Sequence, residues 1–443
     1  MPDISLINLS YSYWNNLPLG TLSVASALSK QGIRADLHNC NLNETDLTSF
    51  RALIKSSADI VGIGCSISSL PDIIYYIKNI KATHKNKIFI LGGPGPTIMH
   101  KEILSHFPFI NMIACGEAEE IIAPAIKMIR SNDWNSLRNL PGISFSFDKQ
   151  IHLSEKPAFI RDLDSLPLLD YSLLDLGAYT PISYETARGC IGKCSYCTLK
   201  GNFRQKSIER IGLELRQLKR FGVNKLRIVD NTFNVNRDYI KTFCELTKAL
   251  GLRWSCECRI DNMDERLLEQ MGRGGCEEIF FGAESGSDKV LRDIRKGYLS
   301  KDIEEIVTCA LKHIPSVTAS FMWGFPFETF NDFLCTLELG QKLNDRGAFK
   351  LLNILTPIPG SFLYRKYKSL LEFYPYKLTP SYIWPRLYFW EKKEKNQLIK
   401  LIKQYPDVFP CYYTYRSKGL KKKIDHIIKE RISCGWSLGE EEF

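Results

Sequence analysis

No run of about eighteen consecutive apolar residues occurs in this chain, and a membrane-crossing helix needs at least that; no membrane span is expected. The opening Met1-Pro-Asp-Ile-Ser-Leu-Ile-Asn8 has neither a basic n-region nor a long apolar h-region, so a secretory signal is not expected and a cytoplasmic location is. The chain also lacks the phosphate-cradling Gly-x-Gly-x-x-Gly pattern, which disfavours a dinucleotide site. Fourteen cysteines are present, but outside a secretory context scattered cysteines do not form a disulfide framework. Most sit in apolar runs, as Cys65 does in Ile60-Val-Gly-Ile-Gly-Cys65, and behave as small hydrophobes. The formal net charge of +10 on 443 residues permits an acidic partner without requiring one, and nucleic acid is not an expected partner. Composition is that of a globular protein, with 44% hydrophobic and 24% charged residues, long enough for about two to three domains.

What the chain does have is a tight cysteine triplet, Cys190-Ile-Gly-Lys-Cys194-Ser-Tyr-Cys197, set among Gly189, Gly192 and Gly201. The glycines mark an irregular loop, where buried core cysteines are not expected to gather. A cubane iron–sulfur cluster usually has a thiolate on each iron, so three thiolates with no fourth nearby leave one iron open to a ligand. A zinc knuckle is the competing metal reading, and it prefers paired Cys-x-x-Cys units. Only Cys194 and Cys197 make such a pair, and neither Cys256/Cys258 nor His152 supplies a second half.

The Cys-x-x-x-Cys-x-x-Cys spacing, with Tyr196 before the last cysteine, resembles the signature of the radical S-adenosylmethionine (SAM) enzymes. The resemblance implies that Cys190, Cys194 and Cys197 are catalytic metal ligands holding a 4Fe-4S cluster. Its open iron would chelate the amino and carboxylate groups of SAM, and one electron would cleave the sulfonium to a 5′-deoxyadenosyl radical. The electron would come from an external one-electron reductant of the flavodoxin or ferredoxin type. The cofactor carries the hard chemistry and the protein orients it.

Upstream, to about residue 130, short apolar runs alternate with amphipathic stretches: Ile4–Leu9, Ala35–Asn39, Ile60–Cys65, Ile88–Leu91 and Met112–Cys115 as strands, and Leu19–Lys30, Leu47–Lys55, Asp72–Ile80, Lys101–His106 and Glu120–Arg130 as helices. Strand–helix alternation predicts a parallel sheet covered on both faces, a Rossmann-like, doubly wound α/β domain over 1–135. Ligands of such sheets sit beyond the carboxyl ends of the strands. Those ends carry Leu17-Pro-Leu-Gly20, Ser66-Ile-Ser-Ser69, Gly92-Gly-Pro-Gly-Pro96 and Gly116-Glu117. Together with Asp59-Ile-Val-Gly-Ile63 and Cys115-Gly-Glu-Ala-Glu-Glu120, they resemble the cobalamin-binding domain that precedes the radical domain in one group of these enzymes. Leu19, Ser66, Ser69, Gly92 and Gly93 are the residues the resemblance places against cobalamin. The Asp-x-His-x-x-Gly motif whose histidine ligates cobalt from below is absent; radical enzymes of this group often lack it, and a vestigial domain that keeps the fold without the corrin is the alternative.

Residues 136–178 read as a hairpin around Asp148-Lys-Gln150 followed by a polar, proline-bearing connector. From 179 to 372 strand–helix alternation resumes, with strands at Ser183–Ala187, Lys225–Val229, Arg253–Cys256, Glu278–Gly282, Thr318–Trp323 and Leu351–Leu355. Six units are fewer than a closed barrel's eight, as in the partial (β/α)6 barrel of the radical SAM family. The strand ends read Asp230-Asn-Thr-Phe233, Cys256-Glu-Cys-Arg-Ile-Asp261, Gly282-Ala-Glu-Ser-Gly-Ser287, Trp323-Gly-Phe-Pro-Phe-Glu328 and Thr356-Pro-Ile-Pro-Gly-Ser361, a ladder that resembles the family's. It implies that Glu284 and Ser285 contact the ribose or amino acid part of SAM, that Arg259 pairs with its carboxylate, and that Gly324, Pro326 and Pro357 shape an adenine slot. Asp230 and Tyr196 complete the cofactor set.

The segment 373–443 reads as a small aromatic and mainly helical region docked on the barrel. Ile424, Ile427, Ile428 and Ile432 share one helical face, with lysines on a solvated face opposite. The resulting expectation is a cobalamin-dependent radical SAM enzyme methylating an unactivated carbon of a small-molecule or peptide substrate. A cyclase or rearrangement enzyme without methyl transfer, a methylthiotransferase, and a non-catalytic iron–sulfur or corrin-binding protein are the alternatives.

Overall fold

A computed structural model describes residues 2–11, 16–199, 201–373, 392–417 and 419–430. The chain divides into two compact units: one holds 1–179 together with the described part of 382–410, the other 180–381 and 411–443 as far as they are described.

The first unit is built on β1 (Ile4–Ser10), β2 (Ala35–Asn41), β3 (Ile60–Cys65), β4 (Ile88–Gly92) and β5 (Met112–Ala114), all parallel, with α1 (Leu19–Lys30), α2 (Leu47–Ser56), α3 (Leu70–Ile80), α4 (Pro94–His106) and α5 (Ile122–Arg130) between and after them. Ile4, Leu6, Ile7 and Leu9 of β1 are all buried, the pattern of a central parallel strand covered on both faces. The strand order β2-β1-β3-β4-β5 reverses direction between β1 and β3, and such a switch point is where doubly wound sheets open a crevice.

The hairpin expected as a separate connector belongs to this sheet. β6 (Ile143–Phe147) pairs antiparallel with β5, and β7 (Gln150–His152) extends the edge to seven strands. Its turn is Asp148-Lys149, both with positive φ (48° and 62°), the mirror-image turn whose twist suits a tight hairpin. The connector that follows is pinned back to α1, where Ser26 Oγ accepts the Asp170 N–H at 2.9 Å.

The second unit opens with β8 (Ile182–Tyr184), a short antiparallel pair β9 (Ala187–Cys190) and β10 (Gly201–Gln205), then α6 (Ile208–Arg220), β11 (Lys225–Ile228), α7 (Arg237–Ala249), β12 (Arg253–Cys258), α8 (Glu265–Arg273), β13 (Cys276–Glu284), α9 (Asp288–Asp293), α10 (Ser300–His313), β14 (Ser316–Trp323), α11 (Phe330–Asp345) and β15 (Phe349–Ile354). Strands β8, β11, β12, β13, β14 and β15 are parallel and lie in chain order, with β8 and β15 left as edges. This is an open (β/α)6 partial barrel. Its helices start on side-chain caps: Ser207, Asn236, Asp264, Ser287 and Thr329 each accept a first-turn N–H, a contact worth about 1 kcal/mol. Ile211, Leu215 and Leu218 of α6 are fully buried, each contributing about 2 kcal/mol of apolar burial. The expected first strand Ser183–Ala187 is in fact broken at Glu185-Thr186, because its second half leaves the barrel to pair with β10.

The C-terminal region does not form one piece. After α12 (Phe362–Tyr367) and β16 (Leu371–Glu372), α13 (Lys392–Gln404) groups with the first unit, packing on α3. Tyr405 there meets Phe107 edge to face at 4.8 Å, and Asp407 pairs with His106 at 2.7 Å. From Cys411 the chain returns to the second unit: β17 (Thr414–Tyr415) pairs with β16, and α14 (Leu420–Lys429) ends the described residues. Ile424 and Ile427 are buried as expected, but Ile428 is exposed and Lys423 is fully buried, so the lysine face is not wholly solvated. Most of the aromatic runs of 374–391, and Ile432, lie outside the described residues.

Gly93 follows β4 with φ of 100°, and a Cβ built there meets the Cys65 carbonyl oxygen at 2.5 Å. Gly93→Ala is therefore expected to destabilise the first unit by about 2 kcal/mol or more, measured as a lower midpoint of denaturant unfolding; an unchanged midpoint would contradict the packing of β4 on β3.

Candidate functional site

The cysteine loop is rooted before it begins. Asp230, at the end of β11, accepts the N–H groups of Thr186 (2.7 Å) and Ala187 (3.1 Å) and the Thr186 hydroxyl. Burial pushes its carboxyl up to about 7 against the pull of those hydrogen bonds. Behind it, buried Glu214 of α6 accepts from Tyr184 at 2.9 Å, Lys206 at 2.9 Å and Arg210 at 2.7 Å, tying β8, β10 and α6 together. The β9–β10 pair then brackets the loop, with Cys190 opposite Gly201.

Within that bracket donors point at sulfur. Gly192 N–H lies 3.3 Å from Cys190 Sγ, and Leu199 N–H 3.4 Å from Cys197 Sγ. Arg259 Nη1 is 3.7 Å from Cys194 Sγ; the Thr232 hydroxyl, 3.2 Å from Cys190 Sγ, donates instead to the Asn231 carbonyl at 2.6 Å. Hydrogen bonds to thiolate sulfur stabilise its negative charge and are a standard lever on iron–sulfur sites. A Cβ at Gly192 would meet Arg259 Nη1 at 2.9 Å and the Cys190 and Cys194 sulfurs at 3.3 and 3.6 Å, so a side chain there would displace the Arg259 guanidinium. Burial pushes the Cys197 thiol up, and a bound metal is what would deprotonate it.

The spacing separates a cluster from a single ion. The three sulfurs are not all within 4.8 Å of one another, whereas thiolates about 2.3 Å from one zinc lie well inside that distance. The triplet is therefore not spaced for one zinc ion. Cys256 and Cys258 lie side by side in β12, Sγ to Sγ 3.7 Å. Burial holds the Cys256 thiol well above its usual range. Among the described residues, the group spaced for one ion is Glu265, Cys309 and His313; Lys312 also pairs with Glu265, at 3.4 Å, and the group is an ion-pair cluster on α8 and α10.

At the barrel mouth the central feature is Glu284. A register shift in β13 after Gly282 leaves Glu284 with φ of 68°, a strained position for a side-chain-bearing residue and one that clusters at functional sites. Its Oε1 accepts from Lys296 Nζ at 2.8 Å and Tyr196 Oη at 2.9 Å, leaving Oε2 as an acceptor. Burial would lower Lys296, and the Glu284 carboxylate beside it overrides this and holds the ammonium charged. The Tyr298 ring lies between two cations, with Lys296 Nζ and the Arg259 guanidinium each 5.7 Å from its centroid.

Three expectations change here. Arg259 does not present its fork: Nε and Nη2 bind Asp261 at 2.7 and 2.8 Å, and Nη2 also donates to the Lys296 carbonyl, so Nη1 alone faces the cysteine loop. Asp230 is turned toward the root of the loop, its oxygens engaged by Thr186 and Ala187. Ser285 is fully buried, its hydroxyl shared with Thr336 at 2.9 Å and with the Ser287 N–H at 3.1 Å; it anchors the β13 loop to α11. Gly324, with φ of 87°, donates its N–H to Glu328 at 2.9 Å. The segment bearing Pro357 reaches the cysteine loop, where Leu363 N–H binds the Ser195 carbonyl at 2.8 Å. Pro326, beside buried Phe325, is half-buried. Lys296 and Tyr298 were not expected, since a lysine in Arg295-Lys-Gly-Tyr298 carries no burial signal.

In the first unit, Ser66 and Ser69 are bound to each other (Oγ to Oγ 3.1 Å) and to Ser68. Gly93 faces the Cys65 backbone, so its lack of a side chain serves packing rather than a ligand. Gly92 differs: a Cβ there has nothing nearer than 4.0 Å, so the surface over it is open. Leu19 begins α1 half-buried. α1, α3, α4 and α5 start at the strand-end edge without side-chain caps. None of the strand-end loops contains histidine. A corrin fits this edge, without a cobalt ligand from a histidine there.

The Radical SAM superfamily model matches residues 184–340, and the B12 binding domain model matches residues 12–125. The chain therefore joins a B12-binding domain to a radical SAM domain. An uncharacterised methyltransferase of Pyrococcus horikoshii is 28% identical over 323 residues, 70% of this chain and 69% of that protein. Among solved structures, the cobalamin-dependent SAM radical enzyme OxsB, with aqua-cobalamin and SAM bound, aligns at TM-score 0.64 and 19% identity over 76% of this chain. The alignment covers 52% of OxsB, so the chain spans about half the length of that enzyme. The radical SAM methyltransferase TsrM of Kitasatospora setae, with cobalamin and a [4Fe-4S] cluster, aligns at TM-score 0.66 and 16% identity over 83% of this chain and 78% of that one. Membership of the radical SAM family brings a 4Fe-4S cluster and SAM, and the B12-binding domain brings cobalamin. Among the described residues, no helix is long and apolar enough to cross a membrane.

Asp230 gives this radical SAM unit a pH signature. Its folded pKa of about 7 lies above the ordinary 3.8, so the protonated form favours folding. That contribution is full below the unfolded pKa and is lost as pH rises through about 7. Asp230→Asn is expected to flatten the pH dependence of unfolding between about pH 5 and 8, followed by denaturant midpoints; a profile that keeps its slope would place the titration elsewhere.

Proposed function

We propose that the protein is a cobalamin-dependent radical SAM enzyme that methylates an unactivated carbon of its substrate. The observation that carries the reading is the cysteine loop: three thiols in one glycine-bearing loop, each met by a hydrogen-bond donor, beside a mouth whose charges are buried and paired. When bound, the cluster and SAM supply radical chemistry, and the corrin supplies a methyl group.

In this reading Cys190, Cys194 and Cys197 ligate three irons, and Gly192, Leu199 and Arg259 offset the negative charge on their sulfurs. Glu284 Oε2 accepts from the ammonium or ribose hydroxyls of SAM, while Lys296 and Tyr196 hold Oε1 in place. Arg259, held flat by Asp261, presents Nη1 toward the SAM carboxylate as well as to Cys194. Gly324, Pro326 and Pro357 border the adenine, and the Tyr196 and Phe325 rings, centroids 6.4 Å apart, exclude water from that side. The uncapped helix ends and the open surface over Gly92 receive the corrin. The substrate is a small molecule or peptide, and an external flavodoxin- or ferredoxin-type donor provides the electron.

Anaerobically reconstituted protein supplied with its substrate should form 5′-deoxyadenosine and S-adenosylhomocysteine together. Cys194→Ala should abolish both, a loss of at least about a thousandfold, while corrin binding followed by absorbance persists. 5′-Deoxyadenosine without S-adenosylhomocysteine would replace methyl transfer by cyclisation or rearrangement, and no 5′-deoxyadenosine would sink the radical reading.

A further inference from the structure

Glu328 closes the loop after β14. Its Oε2 accepts the Gly324 N–H at 2.9 Å, and its own N–H binds the Phe325 carbonyl at 3.0 Å, so its carboxylate sets the shape of Gly324–Glu328. The residue that holds the carboxylate comes from 95 positions further along the chain: Lys423 of α14 donates to Glu328 Oε2 at 2.6 Å and to the Glu328 carbonyl at 3.0 Å. Both side chains are 0% exposed. Oε1 of Glu328 is buried with no partner among the described residues, so the carboxylate is oriented through Oε2 alone. Rings seat the helix as well: His426 stands edge-on to Phe330 and Phe333 at 5.6 and 6.1 Å, and Lys422 lies 4.1 Å from the Phe330 centroid.

A fully buried ion pair is a poor source of stability, because desolvating both charges offsets their attraction; its best-attested use is to fix a register. Here the register it fixes is that of the loop whose Gly324 and Pro326 border SAM, and whose Phe325 faces Tyr196 of the cysteine loop. We propose that Lys423 is a positioning residue for SAM binding, acting through Glu328 to hold the Gly324–Glu328 loop in its binding shape. The proposal rests on the functional reading above. It makes α14, remote in sequence from the family's motifs, a working part of the SAM site.

The test uses cluster-loaded protein, with SAM affinity by equilibrium dialysis, iron content, thermal midpoint, and the KM for SAM in reductive cleavage. Lys423→Met should weaken SAM binding by about tenfold, some 1.4 kcal/mol, with iron content unchanged and KM raised more than kcat falls. Lys423→Arg, which keeps the charge, should recover most of the affinity. Lys423→Met with Glu328→Gln leaves no unpaired buried charge. It should regain thermal stability without regaining affinity, and it decides the matter where the single variant does not fold. Wild-type affinity in either Met variant, or affinity returning together with stability in the double variant, would overturn the proposal. Failure of the wild-type protein itself to bind SAM would instead overturn the functional reading.

Discussion

A charge taken out of water must be met by an opposite one, and that constraint organises the barrel mouth. Glu284 is forced into a left-handed backbone position and buried; Lys296 lies against one oxygen, and Tyr196, from the cysteine loop, hydrogen-bonds the same atom. Through that one oxygen the strand bulge, the turn after α9 and the cysteine loop share a fixed geometry. Both contacts fall on Oε1.

The same logic separates residues that touch a cofactor from residues that aim others. Asp230 and Glu214 are buried carboxylates, but their partners are backbone N–H groups and neighbouring side chains at the root of the cysteine loop. They decide where the loop leaves the barrel. Arg259 is intermediate, since Asp261 holds its plane and one nitrogen remains for the cysteine loop. Rigid support of this kind is what a radical site requires, because small displacements of reacting groups cost rate steeply.

Much of the fold was legible from periodicity. Ile60–Cys65 and Leu19–Lys30 appear as strand and helix at the expected residues, and five of the six barrel strands overlap the predicted runs, the first being cut short at Tyr184, because burial on both faces imposes a continuous apolar signature. The triplet was legible because three cysteines at short spacing in a glycine-rich loop have few other uses. Lys296 and Lys423 were not, since a lysine's burial is decided by a carboxylate that arrives from elsewhere in the chain. The Thr336 hydroxyl beside Ser285 and the Cys65 backbone beside Gly93 were not legible either, because a strand-end serine or glycine reads alike whatever fills the space beside it.

The sequence by itself determined the element order, the parallel architecture of both units and the chemistry of the cysteine loop, since these depend on local spacing and on which residues can be buried. Tertiary structure alone decided the pairing of the 143–152 hairpin with β5, the division of the C-terminal region between the two units, and the matching of each buried charge with its partner. Those outcomes depend on contacts between residues tens of positions apart, Lys423 with Glu328 or Thr186 with Asp230, and one chain pattern is compatible with many such partners until folding brings one of them within hydrogen-bonding distance.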